Sequence, residues 1–132
     1  MKTSHRYYMN LALKLALKAK GKTSPNPMVG AVVVKNNRII GRGYHERAGS
    51  PHAEVIALSQ ADKFAKGARL YVTLEPCAYF GKTPPCVNAI IRSGIKEVII
   101  GMIDPNPLNN GRGVNILKAH KIKVAVGFLE DK

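Results

Sequence analysis

Short apolar runs that alternate with segments of helical spacing constrain the fold of this chain more than any other feature. Five runs have the length and flanking turn residues of strands: 29–34, 39–44, 70–74, 98–102 and 122–126. Four segments carry helical spacing or helix boundary signals: 4–20, 51–61, 85–93 and 114–120. The first two strands form a hairpin that turns at Asn36-Asn37. The alternation that follows predicts an α/β fold with a largely parallel sheet and helices on both faces.

Length, hydrophobic pattern and cysteine count limit the class of protein. The 132 residues suffice for one core, so we interpret residues 1–132 as a single domain. No apolar run could span a membrane, and Lys14 and Lys18 interrupt the apolar residues that a secretory signal would need. We therefore expect a cytoplasmic protein whose two cysteines, Cys77 and Cys86, are reduced and serve metal binding or catalysis.

The formal net charge of +13 leaves two interpretations open. A basic protein can bind an anionic partner, such as a nucleic acid or a phosphorylated substrate. The alternative is a codon bias that favours lysine, asparagine and isoleucine. Because the lysines are scattered and few aromatic residues lie between them, we favour the second interpretation and expect no nucleic-acid partner.

Three potential metal ligands fall at predicted strand–helix junctions. His52 opens a predicted helix, Cys77 follows a predicted strand, and Cys86 opens the next helix. Open α/β sheets place ligands at the carboxyl ends of their strands, and a catalytic zinc takes three protein ligands and a water molecule. Glu54, two residues after His52, could then carry protons between that water, a ring nitrogen and departing ammonia. The pattern predicts one zinc ion on His52, Cys77 and Cys86 in a hydrolytic deaminase.

Each of these residues also has an ordinary structural interpretation. His52 could simply start a helix, the cysteines could be small buried hydrophobic residues, and Glu54 could favour a first helical turn through its charge. These coincidences would all have to occur together, so we favour the functional interpretation. A purely structural zinc normally has four protein ligands. The common deaminase pattern has Cys-x-x-Cys, whereas eight residues separate Cys77 from Cys86 here.

Six short motifs occur in order along the chain. They are Thr-Ser-Pro-Asn-Pro-Met-Val-Gly at 23–30, Gly-Tyr-His at 43–45, Pro-His-Ala-Glu at 51–54, Thr-Leu-Glu-Pro-Cys at 73–77, Gly-Lys-Thr-Pro-Pro-Cys at 81–86 and Asp-Pro-Asn-Pro at 104–107. The set resembles the diaminohydroxyphosphoribosylaminopyrimidine deaminase domain of bacterial riboflavin biosynthesis, within the cytidine deaminase-like superfamily. The resemblance covers about residues 8–128, and the long loop between the cysteines is its most discriminating part.

This resemblance implies a three-layer α/β/α sandwich with a five-stranded mixed sheet, zinc on the His and two Cys residues, and Glu54 as proton donor. It also implies a set of residues that line the substrate pocket: Asn26, His45, Tyr79, Lys82, Asp104 and Asn106. Lys82 would pair with a substrate phosphate, and the asparagines would bind a pyrimidine edge. Taken alone, these asparagines would be interpreted as turn residues. Ala78-Tyr79 stands where the family usually has Ser-His, so Tyr79 is expected to affect substrate recognition.

The implied reaction converts 2,5-diamino-6-(5-phosphoribosylamino)pyrimidin-4(3H)-one to 5-amino-6-(5-phosphoribosylamino)uracil and ammonia. Because the chain ends soon after its last predicted strand, we expect no C-terminal reductase domain and a separate reductase for the next step. We also expect a homo-oligomer, a dimer or larger. Two alternatives stay open: a tRNA or nucleic-acid base deaminase, against which the long cysteine loop argues, and a catalytically idle zinc- or nucleotide-binding module.

Overall fold

The computed structural model describes residues 2–18, 28–46, 51–78 and 85–127. Its helices and strands follow one another as α1 (Lys2–Leu17), β1 (Gly30–Lys35), β2 (Arg38–Tyr44), α2 (Ala53–Ala61), β3 (Arg69–Leu74), α3 (Cys86–Ser93), β4 (Glu97–Met102), α4 (Arg112–Ala119) and β5 (Lys123–Val126). A short 3-10 helix, Asp62–Ala65, follows α2 and was not predicted. None of the helices in these described ranges has the length and apolar character needed to cross a lipid bilayer.

The five strands form one mixed sheet in the order β2-β1-β3-β4-β5. β1 pairs antiparallel with β2 and with β3, whereas β4 pairs parallel with β3 and with β5. The predicted antiparallel hairpin of β1 and β2 and the mixed sheet implied by the resemblance are both present, whereas the expectation of a largely parallel sheet is wrong for the pairing of β1 with β3. The reason is that β2, α2 and β3 form a parallel crossover, and β1 is inserted between its two strands. A strand joined to β2 by a two-residue turn must run antiparallel to both.

The hairpin turn between β1 and β2 needs residues that accept a left-handed backbone. Asn36 and Asn37 have φ angles of 53° and 63°. Two consecutive positive φ angles define a turn whose twist matches that of the flanking strands, and asparagine tolerates this conformation better than most residues. The predicted turn at Asn36-Asn37 is confirmed.

Helices cover both faces of the sheet and give three layers. Side chains of successive strand residues alternate between the faces, so Val32 and Val34 point to α1, while Ala31 and Val33 point to the other helices. The α1 face is small and is built from buried residues of one helix and four strand positions: Tyr8, Met9, Ala12, Val32, Val34, Tyr71 and Ile99. The opposite face packs α2, α3 and α4 against the sheet in the larger core cluster. This side carries the candidate site.

Gly30 allows α1 to lie directly against the first strand, and its replacement tests this packing. A Cβ atom at Gly30 would overlap the carbonyl oxygen of Ala12 and would lie 2.8 Å from the amide nitrogen of Ala16. Because the neighbouring atoms belong to helix backbone, we expect Gly30→Ala to lower the free energy of unfolding by about 2–3 kcal/mol in urea titrations. Arg38→Ala, an exposed site on β2, is the control and should change it by less than about 0.5 kcal/mol. Equal stability of Gly30→Ala and wild type would contradict the tight contact.

Candidate metal centre and active site

The three candidate ligands come from separate segments that the fold brings together. His52 immediately precedes α2, Cys77 follows the carboxyl end of β3, and Cys86 is the first residue of α3. α2 and α3 contact each other on the same face of the sheet, so their N-terminal ends meet beside β3. The ligand atoms of His52, Cys77 and Cys86 all lie within 4.8 Å of one another.

The distances within this cluster fit a tetrahedral metal ion. His52 Nδ1 lies 2.9 Å from Cys86 Sγ and 3.9 Å from Cys77 Sγ. With zinc–sulfur bonds of about 2.3 Å and zinc–nitrogen bonds of about 2.0 Å, ligand atoms of a tetrahedral site are about 3.5–3.8 Å apart. The two measured distances bracket this range. One imidazole and two thiols are also donors that zinc prefers, so the residues present fit a zinc ion with three protein ligands.

Hydrogen bonds within the cluster shift the pKa values of the two thiols in opposite directions. The pKa of Cys77 is lowered to about 4, because Cys86 and His52 both hydrogen-bond its sulfur and outweigh the effect of burial. The backbone N–H of Cys86, at the start of α3, also donates to Cys77 Sγ at 3.2 Å. The pKa of Cys86 is raised, because its thiol donates to Cys77 and is buried. Cys77 is therefore a thiolate at neutral pH, which is the form that binds metal ions, and a metal would displace the proton of Cys86.

His52 shares in the same network. Its pKa is raised, chiefly because its ring hydrogen-bonds Cys77, while partial burial opposes the shift. The atom that faces the sulfurs is Nδ1, so this nitrogen is the one placed to bind a metal ion.

Glu54 is a buried acid in the first turn of α2. Its side chain is 4% exposed, and burial raises its pKa to about 7, although hydrogen bonds to its own backbone and to the side chain of Cys86 favour the charged form. A carboxyl group that titrates near neutrality can both accept and release a proton. The fold thus places a group with acid–base capacity beside the candidate ligand Cys86.

His45 contacts the candidate ligand His52. The two rings meet edge to face with centroids 5.1 Å apart, and His45 Nδ1 is 3.2 Å from the carbonyl oxygen of Pro51. Its backbone N–H donates to the carbonyl oxygen of Val29, and the residue is buried. The structure therefore places His45 at the site, and its contact with substrate stays a prediction.

Asp104 and Asn106 lie in the loop of residues 103–111, which joins β4 to α4. Asp104 Oδ1 accepts a hydrogen bond from the backbone N–H of Asn106, and Asn106 Oδ1 accepts one from that of Leu108, both at 3.0 Å. These bonds are typical of turn residues and hold the loop in shape. The substrate contacts predicted for Asp104 and Asn106 stay predictions. Three further predicted site residues, Asn26, Tyr79 and Lys82, lie outside the described residues.

Two buried polar residues near the site, Glu75 and Asn109, are not among the site residues that the sequence predicts. Glu75 is 3% exposed and Asn109 is fully buried, and both connect the 103–111 loop to the segment that leads to Cys77. Glu75 does stand in the Thr-Leu-Glu-Pro-Cys motif, where an acid between a buried strand and a proline is unusual. Asn109 lies among other loop residues and gives no comparable signal.

Comparison with known families identifies a match over most of the described core. Residues 2–102 match the family model "Cytidine and deoxycytidylate deaminase zinc-binding region". This match confirms the prediction of a zinc cofactor and, with the observed topology, the predicted cytidine deaminase-like fold; the assignment of the individual ligands stays a prediction.

Individual proteins and solved structures also resemble this chain over most of its length. The riboflavin biosynthesis protein RibD of Aquifex aeolicus is 63% identical over 125 residues, which are 95% of this chain and 35% of that protein. The diaminohydroxyphosphoribosylamino-pyrimidine deaminase of Buchnera aphidicola is 52% identical over 94% of this chain and 84% of its own length. A crystal structure from Thermotoga maritima, described as a diaminohydroxyphosphoribosylaminopyrimidine deaminase/5-amino-6-(5-phosphoribosylamino)uracil reductase, superposes with a TM-score of 0.91 at 49% identity, covering 98% of this chain and 38% of that one. The chain thus spans about a third of the longer relatives.

Proposed function

Because the chain belongs to the cytidine and deoxycytidylate deaminase zinc-binding family, we propose that it deaminates 2,5-diamino-6-(5-phosphoribosylamino)pyrimidin-4(3H)-one in riboflavin biosynthesis. The products are 5-amino-6-(5-phosphoribosylamino)uracil and ammonia. The name of the Buchnera relative supports this choice of substrate, and that of the Aquifex relative supports the pathway. The observation that carries the proposal is the convergence of His52, Cys77 and Cys86 beside the buried acid Glu54.

In this proposal His52 Nδ1 and the two cysteine sulfurs would hold one zinc ion. When bound, zinc supplies a Lewis acid that lowers the pKa of water to about 7. The hydrogen bonds that already keep Cys77 in its thiolate form prepare the cluster for this ion. Three protein ligands leave a coordination position for a reactant, which distinguishes a catalytic from a structural site.

Glu54 is the proposed proton carrier. Its carboxylate accepts a proton from the attacking water and delivers it to the ring nitrogen next to the amino-bearing carbon. The same carboxylate then takes the second proton of that water from the hydroxyl now on the carbon and delivers it to the amino group, so that the carbon–nitrogen bond breaks, ammonia leaves and the hydroxyl becomes a carbonyl. The pKa of about 7 suits a group that must alternate between its two protonation states.

The remaining proposals concern substrate recognition, domain organisation and cellular location. Asn26, His45, Tyr79, Lys82, Asp104 and Asn106 are the proposed substrate contacts. Lys82 is assigned to the phosphate, for which a flexible ammonium group is suited. We further propose that residues 1–132 act as one deaminase domain in the cytoplasm, as a homo-oligomer, and that the product passes to a reductase.

An ammonia-release assay with four substrates tests the proposed function. The zinc-loaded protein is given the phosphoribosyl pyrimidine, its dephosphorylated form, cytidine or tRNA, and its metal content is measured on the same sample. We expect rapid release from the first, at least about tenfold lower kcat/KM for the second because one charge-assisted phosphate contact is lost, and none from tRNA. Release from cytidine or tRNA alone would overturn the choice of substrate. No release from protein with one zinc per chain would favour the idle binding module.

A further inference from the structure

A buried carboxylate, that of Glu75, holds the 103–111 loop from outside that loop. Its Oε1 accepts hydrogen bonds from the backbone N–H groups of Asp104 at 3.1 Å and Gly111 at 2.9 Å. Its Oε2 accepts one from the backbone N–H of Val114 at 3.0 Å. The two oxygens therefore join both ends of the loop and the first turn of α4 to the residue that follows β3.

This arrangement replaces the usual cap of α4. Gly111, the N-cap residue, has no side chain to cap the helix, and the first turn of α4 contains no acidic residue. Helix N-termini leave N–H groups unpaired and favour negative charge. Glu75 supplies both an acceptor and a charge, and no cation pairs with it in the described part of the chain. A buried carboxylate without a cation depends on such N–H donors.

Asn109 adds a second connection between the same two segments. Its fully buried amide nitrogen donates to the carbonyl oxygen of Pro76 at 3.1 Å and to Asp104 Oδ2 at 3.3 Å. A Cβ atom at Gly113 would also overlap the carbonyl oxygen of Pro76. The backbone of residues 75–76 is thus in direct contact with the start of α4. The hydrogen bonds to both carboxylate oxygens of Glu75 connect the same two segments.

The position of Glu75 in the sequence relates this network to the candidate active site. Only Pro76 separates Glu75 from the candidate ligand Cys77, and the backbone N–H of Glu75 donates to the carbonyl oxygen of Met102, at the end of β4. Its carboxylate therefore links the segment that carries a ligand to the loop that carries Asp104 and Asn106. A displacement of one segment relative to the other would change the shape of any pocket between them.

We propose that Glu75 is a positioning residue: its carboxylate holds the 103–111 loop in register with the Cys77 segment and thereby sets the affinity for the pyrimidine substrate. This inference rests on the proposed function, because it takes the 103–111 loop as part of the substrate pocket. Glu75 itself does not contact the reacting atoms in this proposal.

The test is Glu75→Gln in the zinc-loaded protein. Glutamine keeps the shape of the side chain, but its amide nitrogen is not an acceptor. The variant therefore loses either the hydrogen bond from Val114 or those from Asp104 and Gly111, depending on which oxygen the nitrogen replaces. We expect KM for the phosphoribosyl pyrimidine to rise about tenfold or more, with kcat within about threefold and unchanged zinc content. Hydrogen exchange should be at least about tenfold faster at the amides that lose their acceptor, which are either Val114 or both Asp104 and Gly111.

Glu97→Gln is the matched control, because Glu97 pairs with Arg69 at the opposite end of β4 and should leave KM unchanged. Asn109→Ala breaks the second connection between the same two segments and should also raise KM. If Glu75→Gln does not fold, the KM of Asn109→Ala tests whether the position of the loop sets substrate affinity. Wild-type KM or wild-type amide exchange in a folded Glu75→Gln protein would overturn the positioning role alone, as would loss of zinc with unchanged KM. If the wild-type protein releases ammonia from no substrate, the proposed function fails and the positioning role falls with it.

Discussion

Cys86→Ser is expected to abolish stoichiometric zinc binding and to lower deaminase activity by at least about 10³-fold. A serine hydroxyl can still donate a hydrogen bond, but it does not ionise near neutral pH, so the site would lose one anionic ligand. Loss of several kcal/mol of transition-state stabilisation from a missing Lewis acid corresponds to a rate loss of this size. Metal analysis and ammonia release on the same preparation provide the measurement.

Asn88→Ser, an exposed site on the same helix, is the control for this variant and should keep both zinc and activity. Because metal binding stabilises the folded state, Cys86→Ser should also unfold at a lower temperature than wild type in the presence of zinc, and this difference should shrink when a chelator is added. A Cys86→Ser protein that retains one tightly bound zinc and full turnover would refute the assignment of Cys86 as a ligand.

Glu54→Gln is expected to lower kcat by about 10²–10⁴-fold while the protein keeps one zinc per chain. Glutamine has nearly the same volume and can occupy the same buried position, but its amide cannot shuttle protons. The combination of retained metal and lost turnover separates a proton carrier from a ligand, since loss of a ligand removes both. Steady-state kinetics and metal content measured together decide between them.

Asp62→Asn provides the comparison for Glu54→Gln, because it removes an exposed carboxylate at the other end of α2 and should leave kcat within about twofold. If Glu54→Gln retained wild-type kcat, Glu54 would not carry protons and the proposed mechanism would fail. If it lost zinc together with activity, Glu54 would instead act through the metal cluster.

Local signals in the sequence were sufficient to locate the helices and strands. α3 was predicted for residues 85–93 and runs over Cys86–Ser93, because Pro85 precedes it and Gly94 ends it with a φ of 82°. α4 starts two residues earlier than predicted, at Arg112, since its first turn is stabilised by Glu75 from another segment. The 3-10 helix after α2 has no distinct spacing of its own and was missed.

The candidate chemistry was also accessible from the sequence, because it depends on residue types and their order. A histidine, two cysteines and a glutamate at predicted junctions indicated zinc, and the family match agrees. The sequence could not show that burial raises the pKa of Glu54, nor that the pKa of Cys77 is lowered while that of Cys86 is raised. Both depend on atoms that approach from distant parts of the chain.

By itself the sequence determined the helices, the strands, the hairpin turn and the set of residues able to bind zinc, because these follow from spacing, turn chemistry and side-chain type within short segments. Only the tertiary structure decided that β1 lies between β2 and β3, that His52 meets Cys77 and Cys86, and that Glu75 ties α4 to the Cys77 segment. Strand order and buried polar contacts are set by packing between segments far apart in sequence, for which no local pattern carries the information.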